Sequence, residues 1–200
     1  MGQIQSRRSG NTFIVACLMT IASPAWPHEA AGSIGGFVSG FLHPILGWDH
    51  VIAMVGVGLW GALLGAPAIW LLPIVFPLVM AAGGALGVAG VPVPAVETGI
   101  AVSAIVLGAM VVAALRPPLW VAAAVVGVFA VFHGHAHGTE LPQAANPLTY
   151  SAGFVVATGL LHLGGIGFGG LARWPAGEIA VRAAGGAIAL AGAAFLSGIV

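Results

Sequence analysis

The sequence predicts an all-α, polytopic transmembrane helix bundle of six or seven spans behind a cleaved export signal, its first membrane element broken near Pro44 and Gly47. Three observations carry this. Of 200 residues, 60% are hydrophobic and 5% charged, with five arginines, five acids and no lysine. A soluble domain of this size carries about 25% charged residues, so most of this surface must meet lipid. The apolar residues fall in blocks long enough to cross a hydrocarbon layer about 30 Å thick. No alternation of polar and apolar residues suggests a barrel, and in lipid the remaining solution is the helix, which satisfies its own backbone hydrogen bonds.

Residues 1–25 read as a secretory signal peptide and 26–200 as one membrane domain. Arg7 and Arg8 give a positive start, Thr12 to Ala22 an apolar stretch, and Ser23-Pro24-Ala25 the small residues of a cleavage site. Cleavage there leaves Trp26-Pro27-His28 outside the cytoplasmic membrane of a bacterium. A free amine beside His28 could touch a metal, although Pro27 has no N–H for a square-planar site built on successive amides. The single cysteine, Cys17, lies in the signal and says nothing about redox compartment.

Apolar blocks follow at 33–65, 69–90, 95–115, 118–137, 147–167 and 177–199, parted by proline, glycine or charge. The first is too long for one straight crossing: roughly 33 residues at about 1.5 Å each make about 50 Å. It is tilted, broken, or two short helices meeting near Pro44 and Gly47. Counting it as one crossing puts Arg116, Arg173 and Arg182 on the cytoplasmic side, as the positive-inside tendency favours; counting it twice puts them outside. Six crossings with a broken first element is the preferred reading. Small residues such as Ala81-Ala82-Gly83-Gly84 and the run from Gly164 to Gly170 suit close contact between membrane helices.

Ionisable groups stand out in this background. His43-Pro44-Ile45-Leu46-Gly47-Trp48-Asp49-His50 puts three of them in eight residues. A charge at mid-helix costs about 2.5–3.5 kcal/mol on insertion scales, so Asp49 must face a cavity or a partner. A break at Pro44 and Gly47 can gather His43, Asp49 and His50 around one point. Against this stands simple hydrogen bonding to neighbouring helices. In Phe132-His133-Gly134-His135-Ala136-His137-Gly138-Thr139-Glu140, His133, His137 and Glu140 lie at i, i+4 and i+7, one helical stripe on which two imidazoles and a carboxylate can share an ion. His135 points away from that stripe, to a second ion or an entrance. His162, alone in an apolar block, is a core residue or a further ligand. Glu97 and Glu178 read as solvated or packing charges near span ends, and Met54 as core. Nitrogen and oxygen donors without thiolate suit nickel, cobalt, copper(II) or zinc.

These residues carry a resemblance. Phe41 to His50, with Met54 and Gly58-Leu59-Trp60 beyond, resembles the first signature of the HupE/UreJ family, and Phe132 to Glu140 resembles the second. The likeness extends over the whole chain. It implies a secondary permease for nickel, with cobalt as an alternative, serving hydrogenase or urease maturation from the bacterial cytoplasmic membrane; copper stays open on ligand chemistry alone, since it binds such donors more tightly. It also implies His43, Asp49, His50, His133, His137 and Glu140 as metal contacts and favours His28 as an outer one. Nickel is then substrate, and no permanently bound cofactor is implied. The near-zero net charge gives no footprint for nucleic acid, and no nucleotide-binding loop or ATPase subunit is indicated. An enzyme is disfavoured: neither the HxxHH clusters of membrane di-iron oxygenases nor HExxH occurs. A membrane metal-binding accessory protein that moves no ion is the other rival.

Overall fold

A computed structural model describes residues 33–140 and 146–198. Residues 1–25, expected to be a signal peptide, and His28 lie outside the described residues. The rest is helical, with no strand among the described residues: α1 (Ser33–Leu46), α2 (Trp48–Leu64), α3 (Ala68–Val88), α4 (Val96–Val112), α5 (Leu119–Thr139), α6 (Pro147–Gly169) and α7 (Pro175–Ser197), with a short 3₁₀ turn at Gly170–Arg173. Each apolar block becomes one helix except the first, which becomes two. Four helices, α3, α5, α6 and α7, are long and apolar enough to cross a membrane, and the α1–α2 pair makes a fifth if its two parts form one span. Helix α4 is equally apolar but has 17 residues, the short end of the spanning range.

The break falls at Gly47, where the chain turns by 79°. Pro44 sits inside α1, where its ring denies residue 40 a hydrogen-bond donor and loosens the last turn. Gly47 is extended (φ −88°, ψ 106°), and its carbonyl accepts from His50 (3.1 Å) and Val51 (2.9 Å) to start α2. Elsewhere the ends follow local chemistry. Gly65, at φ 76°, closes α2 with its N–H on the Gly61 carbonyl, a positive-φ conformation that glycine adopts without strain. The Asn146 side chain accepts from the amides of Leu148 (3.0 Å) and Thr149 (3.3 Å), with Pro147 in the first helical position.

Packing pairs α3 with α5, α4 with α7, and both α1 and α2 with α6. Glycine sets these pairs, as the small-residue runs predict. A Cβ on Gly134 would meet Gly84 N at 2.9 Å, and one on Gly138 would enter the Gly84 backbone. Gly83 and Gly87 press likewise on Val131 and His135, so α3 and α5 run parallel in close backbone contact. Along α6, Gly40 abuts Tyr150, Gly58 abuts His162 and Gly165, and Gly169 abuts Leu59 and Ala62. The bent pair therefore follows α6 in one direction from end to end. Of the Gly164–Gly170 run only Gly165 and Gly169 serve this contact; Gly164, Gly167 and Gly170 face open space.

Met54, Leu59, Trp60, Leu72, Phe76 and Leu107 are fully buried between the helices. Trp48, Trp70, Leu78, Trp120, Ile179 and Leu190 point outward, which an aqueous surface would not tolerate in such number and lipid does. Arg116, Arg173 and Arg182 share one end of the bundle, following α4, following α6 and opening α7. There Arg182 donates to the Val112 carbonyl (2.7 Å) and pairs with Glu178 (3.5 Å), and Arg173 stacks on Trp174. The ionisable groups of the two motifs lie toward the opposite end.

Candidate metal centre

The bend at Gly47 brings side chains from the last turn of α1 and the first turn of α2 to those of the C-terminal turns of α5. Four imidazoles meet there. The His137 ring lies 4.7 Å from His43 and 4.3 Å from His50, and His50 lies 5.0 Å from His133, all between ring centroids. His43 and His50 are 6.4 Å apart, with His137 close to both. His43 Nε2 is 3.4 Å from a carboxylate oxygen of Glu140. One donor atom each from His43, His137 and Glu140 falls within 4.8 Å of the others, a spacing that could hold a metal ion.

His137 thus links the two stripes read in the sequence, its ring near both His43 and His50. His133 lies a turn deeper on α5 and meets His50, and it is His43 that completes the group of donor atoms with His137 and Glu140. The glycines explain the register. In His133-Gly134-His135-Ala136-His137-Gly138, Gly134 and Gly138 each follow a histidine by one residue, about 100° around the helix. Gly134 and Gly138 face α3 at backbone contact, which turns His133 and His137 toward α1 and α2.

Neighbouring groups fix the imidazoles. Asp49 accepts from His50 Nδ1 at 2.8 Å, leaving His50 Nε2 buried and without a hydrogen-bond partner. Asp49 therefore reaches the cluster through His50. A carboxylate on the far nitrogen holds the ring and raises its basicity as a ligand. Asp49 lies in the first turn of α2, where the helix dipole favours a negative charge. A Cβ on Gly47 would stand 3.1 Å from both Asp49 Oδ1 and His50 Nδ1, so the residue at the break also leaves room for this pair.

His133, 0% exposed, is held by Ser103. The Ser103 hydroxyl donates to the Ile100 carbonyl (2.6 Å). It must then accept from His133 Nε2 (3.0 Å), which leaves the Nδ1 lone pair free. Both ring nitrogens of His137 are buried without a partner. Phe154, 4.2 Å from His137, and Tyr150, 6.0 Å from His43, close the side toward α6. Ser103, Tyr150 and Phe154 belong to no motif and carry no signal in the sequence. Buried imidazole nitrogens without partners, next to carboxylates at the rim, can exchange a cation's water shell for nitrogen donors.

Two other histidines lie elsewhere. His135 turns from the cluster and donates from Nε2 to the Val91 carbonyl at 2.8 Å, which ties the α3–α4 connection to α5. His162 lies beyond Phe76, whose ring is 5.5 Å from His162 and 5.5 Å from His133. Glu97 and Glu178 are exposed near the starts of α4 and α7.

Comparison with known proteins gives two findings. The family model described as HupE / UreJ protein matches residues 16–195. Protein HupE of Rhizobium leguminosarum bv. viciae is 47% identical over 186 residues, covering 92% of this chain and 97% of the relative. No solved structure matches.

Proposed function

The chain belongs to the HupE / UreJ family, and on that premise we propose that it is a secondary permease carrying a divalent transition metal, nickel first, across the bacterial cytoplasmic membrane to supply hydrogenase or urease maturation. The observation that carries this is the convergence of His43, His137 and Glu140 within 4.8 Å, beside His50 and His133, where a membrane helix is broken. A site built from side chains on both halves of a broken helix and on a second helix is how membrane proteins hold ions away from lipid.

In this reading the bundle crosses six times, with α4 as a short span. The arginine end is cytoplasmic by the positive-inside tendency, and the histidine end faces outward. The ion arrives at the half-exposed pair of Glu140 and His43, is drawn by their charge and lone pairs, and exchanges water for His137. It then passes to His50 and His133, whose free nitrogens are held in place by Asp49 and Ser103. Few donors bind it at each stage, so it can leave again. The membrane potential favours inward movement by about 2.3 kcal/mol per charge per 100 mV. Imidazole and carboxylate suit nickel and cobalt alike, and copper binds such donors more tightly.

The test is uptake of radioactive nickel into liposomes containing the purified protein, with cobalt, copper and zinc as competitors. Uptake that saturates, and that is lost in His137→Ala, supports the permease. A wild-type protein that binds nickel but never moves it overturns the permease in favour of an accessory metal binder.

A further inference from the structure

Outside the cluster, the strongest unexplained feature is on α6. His162 is 1% exposed, and neither of its ring nitrogens has a hydrogen-bond partner. Thr158, one turn earlier, is 0% exposed, and its hydroxyl is also without a partner. A buried threonine in a helix ordinarily bonds back to a carbonyl of the preceding turn, so an unpartnered one is unusual. Two polar side chains one turn apart in an apolar helix, both buried and neither hydrogen-bonded within the protein, are a cost that packing alone does not ask for.

Their position gives the cost a meaning. Tyr150, Phe154, Thr158 and His162 recur every four residues, one face of α6. Tyr150 and Phe154 wall the cluster described above. His162 lies eight residues beyond Phe154, about 12 Å further along the axis at about 1.5 Å per residue. It lies toward the arginine end. The Phe76 ring is equally close to His133 and to His162, so the innermost imidazole of the cluster and His162 are separated by one aromatic ring. The face cannot turn away, because Gly58 of α2 is in backbone contact with the His162 carbonyl and Gly165.

We propose that His162 and Thr158 form a second, inner station for the divalent cation, reached after His133. An imidazole nitrogen of His162 would bind the ion directly, and the Thr158 hydroxyl would hold one of its remaining waters. The ligand class is a borderline divalent ion such as nickel or cobalt, still partly hydrated. This rests on the permease reading and adds one inner site to the histidine cluster, whose closely spaced stages share a single ion.

The test uses the full chain purified in detergent and titrated with cobalt(II), whose visible absorption reports nitrogen ligation, together with nickel uptake in liposomes. Wild type should bind two equivalents. His162→Gln and Thr158→Val should each lose the inner equivalent, keep the absorption of the outer one, and transport about tenfold more slowly. A wild type that binds a single equivalent, or a folded His162→Gln that keeps both equivalents or wild-type uptake, overturns the proposal. Should His162→Gln fail to elute as a folded protein, Thr158→Val, nearly isosteric, decides by the same criteria. His137→Ala separates the two readings. If it abolishes uptake while His162→Gln and Thr158→Val do not alter it, only the inner station falls. If none of the three alters uptake, the permease site falls as well.

Discussion

Asp49 and His50, neighbours in sequence across the start of α2, are joined side chain to side chain at 2.8 Å, with the carboxylate accepting from Nδ1 and Nε2 left buried without a hydrogen-bond partner. In the permease reading the acid of the first motif would act on the ion through the ring beside it. Asp49→Ala should release the ring and weaken nickel binding about 10- to 100-fold. Asp49→Asn can still accept the hydrogen bond but lacks the charge, so it should lie between wild type and alanine. Titration of the purified variants with nickel checks the order. Equal loss in both would show that charge alone matters.

Gly47 is where the chain bends, and its φ of −88° is open to any residue. The need for glycine is spatial, since an added Cβ would sit 3.1 Å from both Asp49 Oδ1 and His50 Nδ1. Gly47→Ala should thus leave melting temperature nearly unchanged while weakening nickel binding about tenfold, as loss of an orienting contact does. Thermal unfolding and nickel titration on one preparation would separate the two effects. Parallel loss of both would mean that Gly47 supports the fold itself.

Much of this arrangement is legible in the amino-acid sequence, and the limits are physical. The blocks that become Ala68–Val88 and Leu119–Thr139 stand out because lipid leaves the helix as the only economical backbone. The break at Pro44–Gly47 stands out because both residues disfavour a continuous helix, although the turn itself falls on Gly47 alone. Periodicity puts His133 and His137 on one face. It does not say that His137 comes to lie near both His43 and His50 while His133 meets His50 a turn deeper, since that depends on how α5 seats on α3 through Gly134 and Gly138. Ser103 and Phe154 are invisible for the same reason, being brought in by packing from helices without a motif.

The glycines of α5 give a prediction with its own control. Gly134→Leu forces a side chain into Met80 and Gly84 of α3, and overpacking of this kind costs about 1–3 kcal/mol. It should lower the melting temperature and abolish uptake by displacing His133 and His137. Gly159→Ala and Gly164→Ala, where nothing lies within 4 Å, should do neither. Thermal unfolding in detergent distinguishes them.

His135 tests whether every histidine of the second motif serves the ion. Its Nε2 donates to the Val91 carbonyl, holding the α3–α4 connection, and its ring is turned from the cluster. His135→Ala should cost about 0.5–1.5 kcal/mol of stability for the lost hydrogen bond and leave nickel affinity unchanged. A drop in affinity comparable to that of His137→Ala would place His135 in the ion's path.

Ser103 supplies the most specific prediction, because its single hydroxyl proton fixes the state of His133. With that proton on the Ile100 carbonyl, the serine oxygen can only accept, so His133 Nε2 carries hydrogen and Nδ1 is the free donor atom. In Ser103→Ala, Nε2 is left buried without an acceptor, a cost of about 1–3 kcal/mol. The ring can recover by changing which nitrogen is protonated, and doing so removes the Nδ1 lone pair that would be offered to an ion. Ser103→Ala should therefore lose both stability and nickel affinity, although the serine itself touches no ion. Ser103→Thr, which keeps the hydroxyl, should restore affinity even where the added methyl lowers the melting temperature. Affinity that follows the melting temperature across both variants, with no rescue by threonine, would reduce Ser103 to a packing residue.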